Sequence, residues 1–335
     1  MDRIKKRYFL IFLFTFFISC SYIIESKPVL KQSELEKMIA GRLDAEYIGT
    51  DNCLRKCHEK GNEHAQLADY FKKSVHAEQI DRNTHLPLVN CESCHGPGSI
   101  AVENIKEVNG KKQCDFESLI NLKKLPAEAK NLICIKCHNS ASFPNLALWK
   151  GSAHDLAGVA CSDCHKLHQS PLQKVTHDEQ INLCLGCHKK LHNEIMSLSH
   201  HPLREKKIVC TDCHNPHGSM TDKLLKKASV RETCVSCHTE KGGPYVFEHA
   251  DLMEDCSNCH VPHGSINDNL LSLREPMLCL RCHEGHHSFR APALSSANKV
   301  KFYNRCTDCH LSIHGTDKPS GGTTTLPKNQ GRMLR

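Results

Sequence analysis

"ETCVSCHTEKGGPYVFEHADLMEDCSNCHVPHGS", residues 232–265, holds two Cys-x-x-Cys-His groups, with His249 between them and His263 just after the second. The same rhythm runs along the chain. Perfect groups occur at Cys91/Cys94/His95, Cys134/Cys137/His138, Cys161/Cys164/His165, Cys184/Cys187/His188, Cys210/Cys213/His214, Cys234/Cys237/His238, Cys256/Cys259/His260, Cys279/Cys282/His283 and Cys306/Cys309/His310. A tenth group, "CLRKCH", carries one extra residue: Cys53/Cys57/His58. Cys-x-x-Cys-His is the attachment sequence of c-type haem. One copy is a weak signal, but nine perfect copies point to a multihaem cytochrome.

Composition agrees. The 335 residues include 22 Cys and 25 His but one Trp and only 5% aromatics, so few large apolar side chains are available for a core. Cofactors are expected to fill the interior instead. The N-terminus pairs a basic "MDRIKKR" with an apolar run, "YFLIFLFTFFIS", that is short for a membrane span, and so reads as an export signal over residues 1–19. It ends at Cys20 in "FISC", which resembles a lipoprotein box with Phe17 at an aliphatic position; simple signal cleavage and an uncleaved anchor are the alternatives. Each places the chain outside the cytoplasm, periplasmic and, with a lipid on Cys20, membrane-anchored. There, cysteines usually mean disulfides, and Cys-x-x-Cys pairs can be zinc ribbons. Neither accounts for the invariable histidine.

On a helix, cysteines at i and i+3 and a histidine at i+4 share one face, so both thioethers and the proximal imidazole address one porphyrin. Capping-box pairs Thr176/Glu179, Ser229/Glu232 and Ser272/Glu275 start helices just before three motifs.

Fifteen histidines remain after the ten proximal ones, and most recur in register. A unit reads motif, intervening histidine, motif, trailing histidine, five times over. The intervening positions are His76, His154, His200 or His201 (His201 preferred), His249, and His286 or His287 (His287 preferred). The trailing positions are His168, His217, His263 and His314, with Gly98 in the first unit. These are read as distal iron ligands, with His85, and after it His64, as the substitute for Gly98. His177 and His192 are read as ordinary side chains. A trailing histidine three residues past a proximal one has at most ~11 Å of chain. It cannot reach round its own haem, so ligation should cross to a neighbour.

Iron with two histidines has no open position and suits electron transfer rather than substrate chemistry. Ten haems on about 316 mature residues leave about 32 residues each, which forces the haems together. The formal charge of +7 falls to +4 without residues 1–19, and some twenty propionates outweigh it, so no nucleic-acid partner is expected. The competing readings are a multihaem reductase with one open iron and a filament subunit cross-ligated through His64, His85, His177 or His192.

The segments "CESCHGPGS", "LWKGSAH", "SHHPLREKKIVCTDCHNPHGS", "GPYVFEHADLMEDCSNCHVPHGS" and "IHGTDKPSG" resemble the DmsE/MtrA family of decahaem c-type cytochromes, from about Tyr47 to Gly321. The resemblance implies a mostly irregular, helix-poor, elongated haem wire of two pentahaem halves and no enzymatic activity. It also implies periplasmic or inner-membrane electron donors, an outer-membrane porin-like β-barrel, and an extracellular cytochrome or reductase as partners. The expected organisation is a linker with a helix over 20–46, halves over 47–190 and 191–316, and a disordered basic tail over 317–335. Three features depart from the family: the extra residue at Cys53/Cys57, the lipid anchor, and "GPGSIAVEN". Cys114, in the longest gap between motifs, is read as inert.

The leader generates one test. Cys20→Ala should move the cytochrome from the membrane to the soluble periplasmic fraction with its haem content unchanged; a variant still in the membrane fraction would point instead to an uncleaved anchor or a tight barrel partner.

Overall fold

The computed structural model describes residues 30–62, 64–78, 80–83, 88–168, 177–249, 255–283, 305–308 and 310–318. Most of this chain is turns and irregular segments, with short helices and three two-stranded sheets. Cys20, His85, His286, His287 and Cys309 lie outside the described residues, as does the side chain of His177.

The helices follow the motifs. The first motif of each unit ends or sits in a helix: Thr50–Lys56, Ala127–Ile135, His177–Cys187, Val230–Val235 and Met277–Leu280. The second motif forms a single turn: Glu92–His95, Cys161–Cys164, Cys210–Cys213, Cys256–Asn258 and Cys306–Asp308. After the single turn the backbone becomes extended, at ψ 114° for His165 and 147° for His214. The chain leaves the motif at once, and the trailing histidine is carried away from the haem face.

Of the expected caps, Ser229 Oγ accepts from Glu232 N at 3.1 Å, while Glu232 reaches back to Ala228 N. Thr176 is outside the described residues. The Ser272/Glu275 box does not form. Glu275 instead accepts from Thr307 N and Oγ1 at 2.9 and 3.0 Å, because a partner from the next motif takes the carboxylate.

Apolar packing is sparse. One cluster joins Leu35 and Ile39, at the C-terminal side of the Gln32–Met38 helix, to Ile120, Ala129 and Ile133; a second joins Ile181, Ile195 and Leu203. Strands β1 (Lys106–Val108) and β2 (Lys111–Gln113) form a hairpin whose turn, Asn109-Gly110, has φ of 52° and 73°, the left-handed pair that a two-residue hairpin turn requires. The other strands, β3 (Ser199–His200), β4 (Phe247–Glu248), β5 (Gly264–Ser265) and β6 (Gly315–Thr316), pair as β3 with β5 and β4 with β6. Each pair therefore joins a segment beside an intervening histidine to the Gly-containing dipeptide after a trailing histidine of the next unit. Among the described residues no helix is long and apolar enough to cross a membrane.

Two clusters of this size cannot offset the ordering entropy of so long a chain. The variant with every haem-motif cysteine changed to Ala is expected to show no cooperative unfolding transition by circular dichroism; a cooperative transition would mean that the polypeptide has a self-sufficient core.

Candidate haem sites

In all nine perfect motifs the backbone N–H of the histidine donates to the carbonyl of the first cysteine, at 2.8–3.0 Å, from His95 to Cys91 through His310 to Cys306. This one turn gives each group the same shape. In the second motif of a unit it is locked by a side chain just before the second cysteine. Asp163 accepts from Ala160 N at 2.9 Å, Asp212 from Val209 N at 2.8 Å, Asp308 from Arg305 N at 3.1 Å, and Ser93 Oγ from Asn90 N at 3.1 Å. Each caps an orphan N–H at the start of the turn. The Cys-x-Asp-Cys pattern was available in the sequence as this signal and was not used.

The two motifs of a unit are bonded to each other. A side chain three or four residues before the first motif accepts from the backbone at the start of the second. Thr50 Oγ1 takes Cys91 N at 3.3 Å, Asn131 Oδ1 takes Cys161 N at 2.8 Å, Gln180 Oε1 takes Thr211 N at 3.1 Å and Glu275 takes Thr307 N at 2.9 Å. First cysteines meet as a result. Cys134 hydrogen-bonds Cys161 and Cys184 hydrogen-bonds Cys210, which pulls the Cys210 thiol down to about 7. Cys234 with Cys256 and Cys279 with Cys306 interact likewise, while Cys53 and Cys91 influence each other electrostatically. Second cysteines lie within electrostatic range of each other across units: Cys94 of Cys137, Cys164 of Cys187, Cys213 of Cys237, and Cys259 of Cys282. The alternation links all ten motifs in chain order. Glu275, Cys279 and Cys306 bring ligand atoms within 4.8 Å of one another, but both sulfurs belong to haem motifs, so the group is part of this ladder.

The histidines pair in a second ladder. Ring centroids stand 5.9 Å apart for His76 and His138, 6.1 Å for His95 and His168, 6.1 Å for His154 and His188, and 5.9 Å for His165 and His217. The series continues with His201 and His238 at 6.1 Å, His214 and His263 at 6.1 Å, His249 and His283 at 5.7 Å, and His260 and His314 at 6.2 Å. Two imidazoles on opposite sides of one iron, each with nitrogen about 2 Å from the metal, have centres about 6 Å apart. The residues present therefore fit bis-histidine haem iron. Every pair joins one motif histidine to one other. No trailing ring faces its own motif; His217 faces His165 and not His214. His58 has no ring opposite it at this distance among the described residues.

Ring orientation is fixed through Nδ1. His95 bonds Ile120 O at 3.0 Å, His214 bonds Lys223 O at 2.7 Å, His260 bonds Asn269 O at 2.8 Å, His154 bonds Pro216 O at 2.8 Å, and His201 bonds Pro262 O. A donor at Nδ1 leaves Nε2 as the free lone pair, the usual second-shell arrangement for a metal-binding histidine. Burial pushes down the pKa of His76, His95, His165, His168, His217, His263 and His314, favouring the neutral, ligating form. His200 differs from His201. Its Nδ1 meets Ser197 O at 2.7 Å and its Nε2 meets Glu205 at 3.0 Å, so both nitrogens are occupied.

The glycine after His217, His263 and His314 has a steric cause. A Cβ on Gly218 would overlap the Leu148 carbonyl, one on Gly264 the Glu194 carbonyl, and one on Gly315 the Tyr245 side chain. Only glycine lets the backbone lie against the preceding segment. In the first unit, "GPGSIAVEN" forms the Ser99–Glu103 helix, with Ala101 and Val102 buried, where other units extend toward a neighbour.

Cys57, expected to bind haem, and Cys114, read as inert, have their sulfurs paired in the structure.

The doubled CXXCH motif family matches residues 200–243 and 249–288, and the cytochrome c-type protein NrfB-like family matches residues 91–187. The multiheme cytochrome MtrA of Shewanella baltica is 39% identical over 284 residues, 82% of this chain and 80% of that protein. This chain belongs to the MtrA family of multihaem c-type cytochromes. The cytochrome c-type protein NrfB of Haemophilus influenzae is 28% identical over 108 residues, 30% of this chain and 44% of that one. Membership in the MtrA family makes the chain an electron-transfer cytochrome with covalently bound c-type haem, and gives both ladders a common cofactor.

The steric argument about glycine can be checked in one place. Gly264→Ala should displace the backbone from Glu194, destabilise the fold by about 1–3 kcal/mol and give the haem on His214 a partial high-spin signal through its neighbour His263; an unchanged spectrum would detach Gly264 from that pair.

Proposed function

We propose that this cytochrome is a ten-haem wire that carries electrons from periplasmic donors to an outer-membrane or extracellular acceptor. The observation that carries this reading is the series of histidine pairs from His76 to His314, 5.7–6.2 Å between ring centres, which joins each unit to the next, so neighbouring porphyrins would be held close. A c-type haem supplies one-electron chemistry.

The protein's part is to hold both axial positions and resist movement when the valence changes. The proximal set is His58, His95, His138, His165, His188, His214, His238, His260, His283 and His310. The distal set is His76, His154, His168, His201, His217, His249, His263 and His314, with His287 for the haem on His310 and His85 for the haem on His58. His287 is the assignment left when the pairing pattern reaches the last unit. Motifs three, five, seven and nine are faced by an intervening histidine from upstream, and motifs two, four, six and eight by a trailing histidine from downstream. Nδ1–carbonyl bonds keep the rings from turning, and filled axial positions exclude substrate. Electron transfer then needs little rearrangement.

An outer-membrane porin-like β-barrel with an extracellular cytochrome or reductase beyond it is the acceptor assembly this reading uses. The Cys20 anchor and two pentahaem halves over 47–190 and 191–316 belong to the same proposal. The reductase reading keeps one specific foothold, the haem at His58. An oxidised protein with ten haems by mass and low-spin EPR signals only is expected. A high-spin ferric signal that responds to cyanide or nitrite in the wild type would favour the reductase.

Crossed ligation has its own test. His217→Ala should convert one haem to high spin. In a background lacking the haem on His165 (Cys161→Ala with Cys164→Ala), adding His217→Ala should change nothing further; a new high-spin signal there would assign His217 to the haem on His214 instead.

A further inference from the structure

The first motif is not a stretched copy of the others. Its helix, Thr50–Lys56, gives Cys57 the backbone place that histidine holds elsewhere: Cys57 N donates to Cys53 O at 3.1 Å, the bond made by the histidine N–H in every perfect motif. Lys56 then stands at i+3, the place of the second cysteine. His58 N is shared between Cys53 O at 3.2 Å and Leu54 O at 3.1 Å. Cys53 stays beside the second motif, where Thr50, three residues before it, accepts from Cys91 N at 3.3 Å and Cys91 acts on Cys53 electrostatically.

Burial separates Cys57 further. It is 4% exposed, whereas the other haem-motif cysteines that are described are half-buried or exposed, as a sulfur facing a porphyrin must be. Its partner is Cys114, which follows β2, itself tied back by Lys112 N to Asn62 Oδ1 at 3.2 Å and by Asp115 N to Ala101 O at 3.1 Å. The disulfide encloses a sequence separation of 57 residues that includes His64, His76, His85 and the whole second motif.

We propose that the mature cytochrome carries a structural Cys57–Cys114 disulfide and that the haem on His58 is attached by a single thioether, through Cys53. The chemistry balances. The Cys53 S–H adds across one vinyl double bond, forming a C–S bond with no net redox change. The two other thiols lose two protons and two electrons to a protein disulfide of the exporting compartment, of the class that oxidises folding chains. The second vinyl group stays unsaturated. Closing a loop of this length would stabilise a unit that lacks a trailing histidine to stitch it to its neighbour.

The inference rests on reading His58 as a haem ligand, and the test separates the two. The full-length holo-protein, alkylated without reduction and digested, should yield a Cys53 peptide bearing haem, with Cys57 linked to a Cys114 peptide and alkylated only after reduction. Haem on both Cys53 and Cys57, with Cys114 alkylated at the outset, overturns the proposal and leaves the wire intact; a Cys53 peptide without haem overturns both the proposal and the tenth haem. As a second measurement, Cys53→Ala should make one haem extractable into acidified organic solvent. Retention of all haem in that variant would show that Cys57 holds it, and would also overturn the proposal.

Discussion

A histidine three residues past a haem-binding histidine cannot turn back on its own haem, and the rest of the structure depends on where it goes instead. His168, His217, His263 and His314 each lie opposite the motif histidine of an earlier unit, about 6 Å away between ring centres. His76, His154, His201 and His249 each lie opposite one of a later unit. Each of the three inner units is thereby held from both sides. With so little apolar core, this exchange of imidazoles is the main source of long-range order, and haem binding and folding become one event.

The smaller features serve that exchange. Extended backbone after His165 and His214 sends the trailing histidine outward. The following glycine lets it arrive, since Gly218, Gly264 and Gly315 lie where any side chain would strike the preceding segment. The two-residue strands β5 and β6 then fasten the arrival point to the segment beside the next intervening histidine. Carbonyls of Pro216 and Pro262, immediately before trailing histidines, accept from His154 and His201. One short "Pro-His-Gly" run thus offers a ligand to one haem site and orients the ligand of another.

Much of this was legible in the sequence because motif chemistry is local. The Cys-x-x-Cys-His turns and the intervening and trailing positions follow from spacing, but the choice between His200 and His201 needed the structure, where His201 faces His238 and both nitrogens of His200 are occupied. What was not legible depends on contacts distant in sequence. Glu275, read as a helix cap, is taken by Thr307. Asn131 and Gln180 look like ordinary helix residues until they are seen to hold Cys161 and Thr211. Cys114 carried no local signal at all, since only the fold brings it to Cys57. Family membership supplied the function, but the pairing of individual histidines needed the geometry.

A ladder in which neighbours supply the ligands must run short at its ends. In the other units the intervening histidine faces the first motif of the unit that follows, whereas in the last unit His286 and His287 are left for the proposed haem on His310 of their own unit. At the first unit, the upstream chain has no histidine to give, and Gly98 replaces the trailing one. The segment around Gly98 has accordingly been put to another use: Glu92 accepts from Gly98 N, Ile48 N and Gly49 N at 2.8–2.9 Å and binds the chain before the first motif to the second. Hydrogen bonds to a buried carboxylate and a disulfide do there what crossed imidazoles do elsewhere. Within the stretch between Cys57 and Cys114, His76 already faces His138 and His95 faces His168, which leaves His64 and His85 as the histidines the proposed haem on His58 would draw on. On the proposed attachment, that iron would differ from its neighbours both in how its haem is held and in where its ligand comes from.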